Sequence, residues 1–364
     1  MNGVGDNSAL VLDVFQNQFN KSGEELCGDT VKTRRTPDKS IVVLSDGLGS
    51  GVKAKILSTL TAEILTTMLE ADAPLDEVVR TVLGTLPICK VRQMAYAAFL
   101  VLKVDHRTRS FRVVNFDSPP PIFLRGTRLM TPDVKQVEVQ GRKFTLSSGE
   151  LRPGDFIALL SDGTAHAGLG NTMNFGWGWE RISTFIRETA LTTGGSAPAI
   201  VRKVIDRTAQ LYGPTVGDDA TFIGVRARLH RAAVLFTGPP LDMKHDNAIA
   251  QRVVEFPGRR IVCGGTTGNI VGIYVGEDPE VDIGTMRRDV PPIASLRHVD
   301  LMTEGILTMT KALELMRSCG FSLLNLSTDN NGAALLRANC WRWTAFISSW
   351  ASGSTSTTRT PNCH

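Results

Sequence analysis

Twice in this chain a short apolar run stops at the same tripeptide. Ile41-Val42-Val43-Leu44 ends in Ser45-Asp46-Gly47, and Phe156-Ile157-Ala158-Leu159-Leu160 ends in Ser161-Asp162-Gly163. Aliphatic and β-branched runs of this kind, halted by Asp-Gly, read as buried strands closed by a turn. Two further aspartates share the context: Asp29 in Cys27-Gly28-Asp29, and Asp218 in Gly217-Asp218-Asp219 ahead of an apolar stretch at 220–225. One Asp-Gly marks a turn and nothing more. Several of them at the ends of buried strands suit a different task, because carboxylates fixed there can converge on a hard cation such as Mg²⁺ or Mn²⁺. Two such ions, roughly 3.5–4 Å apart, can activate a water against phosphorus. A glycine beside each aspartate leaves room for a backbone carbonyl at the ion.

Around these turns the hydrophobic period changes twice. Strand-like runs at 9–15 and 40–45 give way to Ala54, Ile56, Leu57, Leu60, Ile64, Leu65, Met68 and Leu69, spaced as one face of a helix of about five turns. A second helix is expected at 75–83, then strands at 95–104, 110–116, 122–125, 128–130, 143–146 and 155–160, helices at 179–188 and 197–211, and a strand at 220–225. Strands grouped apart from helices predict an α+β fold, an antiparallel β-sandwich flanked by helices. The basic run Arg226-Ala227-Arg228-Leu229-His230-Arg231 marks a boundary, giving a first domain over 1–230. Beyond it, a strand at 233–236, helix at 246–255, strand at 260–263, strand at 298–303 and helix at 304–319 alternate as a smaller α/β domain over 231–338.

The series Gly28-Asp29, Ser45-Asp46-Gly47-Leu48-Gly49-Ser50-Gly51, Gly154-Asp155 with Ser161-Asp162-Gly163, and Gly217-Asp218-Asp219-Ala220-Thr221 resembles the metal-dependent serine/threonine protein phosphatases of the 2C type, in their bacterial SpoIIE-type branch. The likeness covers about residues 8–228 and includes Asn115-Phe116-Asp117-Ser118-Pro119-Pro120-Pro121. It implies two Mn²⁺ or Mg²⁺ ions, with Asp46 bridging them and the Gly47 carbonyl on one. Asp162 and Asp218 would complete the other ion, and Asp29 would hold its waters from behind. A water between the ions would attack the phosphoserine or phosphothreonine of a regulatory phosphoprotein, which makes Asp46, Asp162 and Asp218 the implied catalytic residues. Two departures stand out. Leu48 occupies the position where many eukaryotic relatives carry His, so water is the expected proton donor, and between Val14 and Asp29 only Lys21 is available to anchor phosphate. Two other classes stay open: a catalytically weak regulator that uses its second domain as a sensor, and a hydrolase of small phosphoesters.

Composition narrows the partners. Forty Lys plus Arg against thirty-six Asp plus Glu give a net charge of +4, too mild over 364 residues to predict nucleic-acid binding. No segment has the roughly 18–20 apolar residues of a membrane span, and the opening Met1-Asn2-Gly3-Val4-Gly5-Asp6-Asn7 reads as no signal peptide. Six scattered cysteines without a CxxC pair predict a reducing, cytoplasmic setting, and a homodimer is compatible with all of this.

The tail over 339–364 is anomalous: residues 340–364 contain no Leu, Val, Asp, Glu or Lys, ten Ser or Thr, and three of the five Trp. It reads either as a disordered Ser/Thr-rich tail or as the product of a frame slip near Asn339, whose second frame would give an apolar strand with a charged flank. Other features have plain readings. His166 reads as an exposed loop residue rather than one touching the site, Cys27 as a small buried apolar group, and Asp219 as a solvated turn residue rather than a neighbouring ligand; Trp177 and Trp179 are either core or flap. Gly264-Gly265-Thr266-Thr267-Gly268 is a turn rather than an anion cradle, since it has no Walker lysine.

Overall fold

In the computed structural model, residues 10–85, 97–170, 172–318, 329–342, 345–349 and 355–359 are described. The expected strand residues Ala95 and Tyr96, the opening nine residues, and Cys89, Cys319 and Cys363 lie outside them. The chain divides into two compact units, one over Leu10–Arg228 and one from Leu229 onward.

The first unit runs β1 (Leu10–Phe19), β2 (Asp29–Arg35), β3 (Lys39–Gly47), α1 (Gly51–Glu70), α2 (Leu75–Thr85), β4 (Ala97–Asp105), β5 (Ser110–Phe116), β6 (Ile122–Arg125), β7 (Arg128–Leu129), β8 (Asp133–Val139), β9 (Arg142–Glu150), β10 (Phe156–Leu160), α3 (Asp162–Ala165), α4 (Trp179–Thr192), α5 (Ala197–Tyr212) and β11 (Ala220–Leu229). Two sheets form, ordered β2-β3-β4-β5-β9-β8 and β1-β11-β10-β6-β7. Their facing sides share one core: Val42 and Leu44, Leu100 and Leu102, and Val113 from the first sheet meet Leu10, Phe123, Ile157, Leu159 and Ile223 from the second. The opposite side of the six-stranded sheet, with Ile41, Val43, Phe99 and Val101, is covered by Ala62, Leu65 and Leu69 of α1 and Val78, Val79 and Val82 of α2. That double cover is why β3 reads as a continuous apolar run: both faces are dry. On the outer side of the other sheet, Gly224 has no space for a side chain, because Val201 of α5 and Phe156 close over it. The α+β sandwich is therefore as the sequence predicts.

Two details differ. The strand β8 has no counterpart in the sequence reading, because it is an exposed edge whose alternation Asp133-Val134-Lys135-Gln136-Val137 carries little apolar signal. The basic run at 226–231, read as a boundary, contains the division between the units at 228/229, but strand β11 runs on through it to Leu229 rather than ending at 225. Within it Arg228 pairs with Asp13 at 2.7 Å and Arg226 donates to the Gly195 carbonyl, so these cations close the first unit.

The second unit contains β12 (Ala232–Thr237), α6 (Asp246–Val254), β13 (Arg259–Cys263), α7 (Gly265–Val275), β14 (Glu280–Asp282), β15 (Ile293–Leu296), β16 (Val299–Thr303), α8 (Ile306–Ser318), α9 (Gly332–Arg342), β17 (Ala345–Ser349) and β18 (Thr355–Arg359). Its sheet order is β14-β15-β16-β13-β12-β17-β18, with β16, β13, β12 and β17 mutually parallel. Helices α6 and α7 cover one face, and α8 and α9 the other. The expected tail boundary at 339 falls inside α9, and part of the tail forms β17 beside β12. The glycine-rich segment at 264–268 is not a plain turn, because α7 begins at Gly265. Thr267 Oγ1 donates to the Cys263 and Gly264 carbonyls, and Gly268 lies so close to Met302 that a Cβ would collide with it. Close packing on β16 explains that glycine.

Candidate metal centre

Strand pairing places the predicted aspartates. In the first sheet β2 and β3 are antiparallel with Asp29 directly opposite Asp46, so both carboxylates sit at one end of the same pair. In the second, β10 and β11 pair Leu160 with Phe222, which sets Asp162 beside the 218–220 segment. The Ser161 N–H donates to the Thr221 carbonyl at 3.0 Å, the Thr221 N–H to Ser161 Oγ at 2.9 Å, and Thr164 Oγ1 to the Thr221 carbonyl at 3.0 Å, locking the two turns together. Each sheet thus contributes two of the four predicted aspartates.

The glycines beside them serve packing first. A Cβ on Gly47 would stand 2.6 Å from the Ala54 carbonyl carbon and closer to its oxygen, so α1 lies directly on the 46–51 turn. A Cβ on Gly163 would stand 2.9 Å from the Asp219 carbonyl carbon, which brings the two turns of the second sheet into backbone contact. Lys55 of α1 donates to the Asp29 carbonyl at 2.7 Å, and Tyr212 at the end of α5 donates to the Gly163 carbonyl at 2.7 Å.

Electrostatics shows the convergence. Burial lifts the Asp46 carboxyl well above the usual range, and the charges of Asp29 and Asp162, a hydrogen-bonding approach to Asp162, and the charge of Asp218 add to it. Asp29 is fully buried and is also raised, chiefly by burial, with Asp219 and Asp162 contributing. The hydroxyls of Thr221 and Ser161 hold that shift back, yet both Asp29 oxygens are without a hydrogen-bond partner. Asp218 is raised by burial and by Asp162, while Lys21 pulls it down.

Among the described residues no group of three or more His, Cys, Asp or Glu side chains is arranged to hold a metal ion as it stands. The donor chemistry nevertheless fits a hard divalent cation: oxygen ligands only, mutually repelling, with one buried carboxylate unpartnered.

Other expectations divide. His166 is exposed, and Cys27 is a buried thiol pushed up to about 12 by burial. Trp177 is core, edge-on to Phe185 at 5.3 Å, and Trp179 donates its indole N–H to the Pro120 carbonyl at 2.9 Å. Asp219 corrects the reading of a solvated turn: it is 4% exposed, and its carboxylate accepts the backbone N–H groups of Lys21 and Gly28, both at 2.9 Å. Its only sequence signal is the doubled aspartate. Tyr212, Lys55 and Glu24, whose Oε1 accepts from Ser50 Oγ at 2.7 Å, carry no such signal.

No helix among the described residues is long and apolar enough to cross a membrane. No curated protein sequence matches the chain. Among solved structures, the PP2C phosphatase domain of SpoIIE from Bacillus subtilis, with a fragment of its regulatory domain, is 18% identical with a TM-score of 0.51, and the alignment covers 61% of this chain and 65% of that one. The RsbU and RsbW domains of Rv1364c from Mycobacterium tuberculosis are 17% identical over 67% of each chain, with a TM-score of 0.49. The model of the family described as Stage II sporulation protein E (SpoIIE) matches residues 36–228, more than half of the sequence and most of the first unit. The chain belongs to the SpoIIE family of PP2C-type phosphatases.

Proposed function

We propose that the first unit is a protein phosphatase dependent on Mn²⁺ or Mg²⁺, acting on phosphoserine or phosphothreonine of a regulatory protein. One observation carries this reading: Asp46 is half-buried with Asp29, Asp162 and Asp218 around it, and their charges add to the desolvation that raises its proton affinity. Such a cluster gains most from a cation. Asp46, Asp162, Asp218 and the Gly47 carbonyl would hold the two ions, with Asp29 behind them. When bound, the ions supply Lewis-acid activation of water and neutralise phosphoryl charge. The chain's own part is to fix four carboxylates at rigid strand ends and to keep water from their flanks with the cores on either side. Lys21, whose charge draws the Asp218 carboxyl down, would be the cation available to a phosphate dianion. With Leu48 after the Asp46-Gly47 turn and His166 exposed, neither position offers a buried side-chain acid for the leaving alkoxide.

A protein substrate is favoured over a small phosphoester. The family match supports this, the model of Stage II sporulation protein E covering residues 36–228.

Hydrolysis of p-nitrophenyl phosphate and of a phosphoserine peptide, with and without Mn²⁺, tests the reading. Wild type should require the metal, and Asp46→Asn should lose at least a hundredfold in kcat. Metal-independent turnover, or full activity in that variant, overturns it.

A further inference from the structure

Asp219 stands outside the proposed ligand set, yet it is among the most enclosed charges of the unit. A buried carboxylate is costly unless its oxygens are taken up by donors. Here Oδ1 takes the Lys21 N–H and Oδ2 the Gly28 N–H, linking the start of β11 to a segment some 190 residues earlier in the chain. A Cβ on Gly28 would lie 2.8 Å from Asp219 Oδ2 and 2.9 Å from Ala54 Cβ, so the backbone approach is as tight as glycine permits. A second staple sits alongside: the Ser22 N–H donates to the Val216 carbonyl at 3.0 Å, and the Val216 N–H to Ser22 Oγ at 2.7 Å. From the same segment, Glu24 receives Ser50 Oγ at the start of α1. Residues 20–28 therefore join the acidic turn of β11 to the turn that carries Asp46, and they end at Asp29.

We propose that Asp219 is a positioning residue: by gripping the Lys21 and Gly28 amides it clamps residues 20–28 and so sets the register of Asp29 against Asp46 and of Lys21 against Asp218. This rests on the metal-site reading above and adds to it a residue that touches neither cation nor substrate. Partners that orient ligands in this way typically change metal affinity by about 10–100-fold when removed.

The test is Asp219→Asn in the full-length protein, which preserves shape but turns an amide N–H₂ towards a backbone donor. Isothermal titration with Mn²⁺ alone should show affinity weakened by about 10–100-fold. Amide hydrogen exchange should rise at Lys21 and Gly28 while the sandwich core keeps its protection. A merely structural role would lower the melting temperature and leave Mn²⁺ affinity within twofold, and that result overturns the proposal. If Asp219→Asn does not fold, Ser22→Ala carries the test: faster exchange at Lys21 and Gly28 with weaker Mn²⁺ binding supports the clamp, and no change in either refutes it. A wild type that binds Mn²⁺ but hydrolyses no phosphoester would end the phosphatase reading and leave the clamp standing on these two readouts.

Discussion

Substituting alanine at Gly47 tests how rigidly α1 is set on the acidic turn. The added methyl would lie 2.6 Å from the Ala54 carbonyl carbon and 2.8 Å from Ala54 Cα, both backbone atoms in the first turns of a twenty-residue helix. Carbon contacts relax at about 3.5 Å or more, so the start of α1 must recede by about 1 Å. The helix cannot do so freely, because Ala62, Leu65 and Leu69 are packed against Ile41, Val43 and Phe99. Overpacking of this kind costs about 1–3 kcal/mol. For a unit of this size, at about 2–4 °C per kcal/mol, the melting temperature should fall by about 2–12 °C. Gly84 is the control: it lies in α2 with nothing within 4 Å of the position a methyl would take, so Gly84→Ala should leave the midpoint unchanged or raise it slightly. Differential scanning calorimetry reads both, and Mn²⁺ titration reads whether the displaced helix disturbs Asp46. A Gly47→Ala protein melting within 1 °C of wild type, with unaltered Mn²⁺ affinity, would refute the close approach of helix and turn.

Two thiols should be inert in the folded protein. Burial pushes Cys27 up to about 12 and Cys263 to about 11, so peptide mapping after iodoacetamide treatment at pH 8 should find neither alkylated, and modification of either would contradict their placement. Asp72 is held down to about 2 by hydrogen bonds from Lys103 and Lys39, so its contribution to stability should be complete above its unfolded pKa of about 3.9 and vanish as pH falls through about 2. Asn tolerates the positive φ of 58° there, so urea unfolding of Asp72→Asn should show a deficit at pH 6 that closes by pH 2; a constant deficit would exclude the charge as its source. For the tail, resequencing the gene across Asn339 should reveal a second frame encoding an apolar strand with a charged flank, and DNA unable to encode one removes the frame-slip reading.

Much of the framework that carries the candidate site was legible because its signal is local. A continuous apolar run ending in Asp-Gly needs both faces covered and a turn at its end, and β3 and β10 show that pattern in consecutive residues. Helix α1 announced itself by its spacing. The edge strand β8 and the glycine-rich start of α7 did not, since an exposed edge need not alternate strongly and glycines set by packing look like a turn.

Consecutive residues are enough to say which positions carry negative charge and where the buried strands stop. The folded chain adds that Asp29 faces Asp46 across a strand pair, that Asp219 is buried on the amides of Lys21 and Gly28, and that Gly47 and Gly163 are spaces for a neighbouring backbone. The difference is one of range. Turn chemistry and periodicity act over a few residues, whereas the partners of a buried carboxylate, here some 190 positions away, are fixed only when two sheets close on one core.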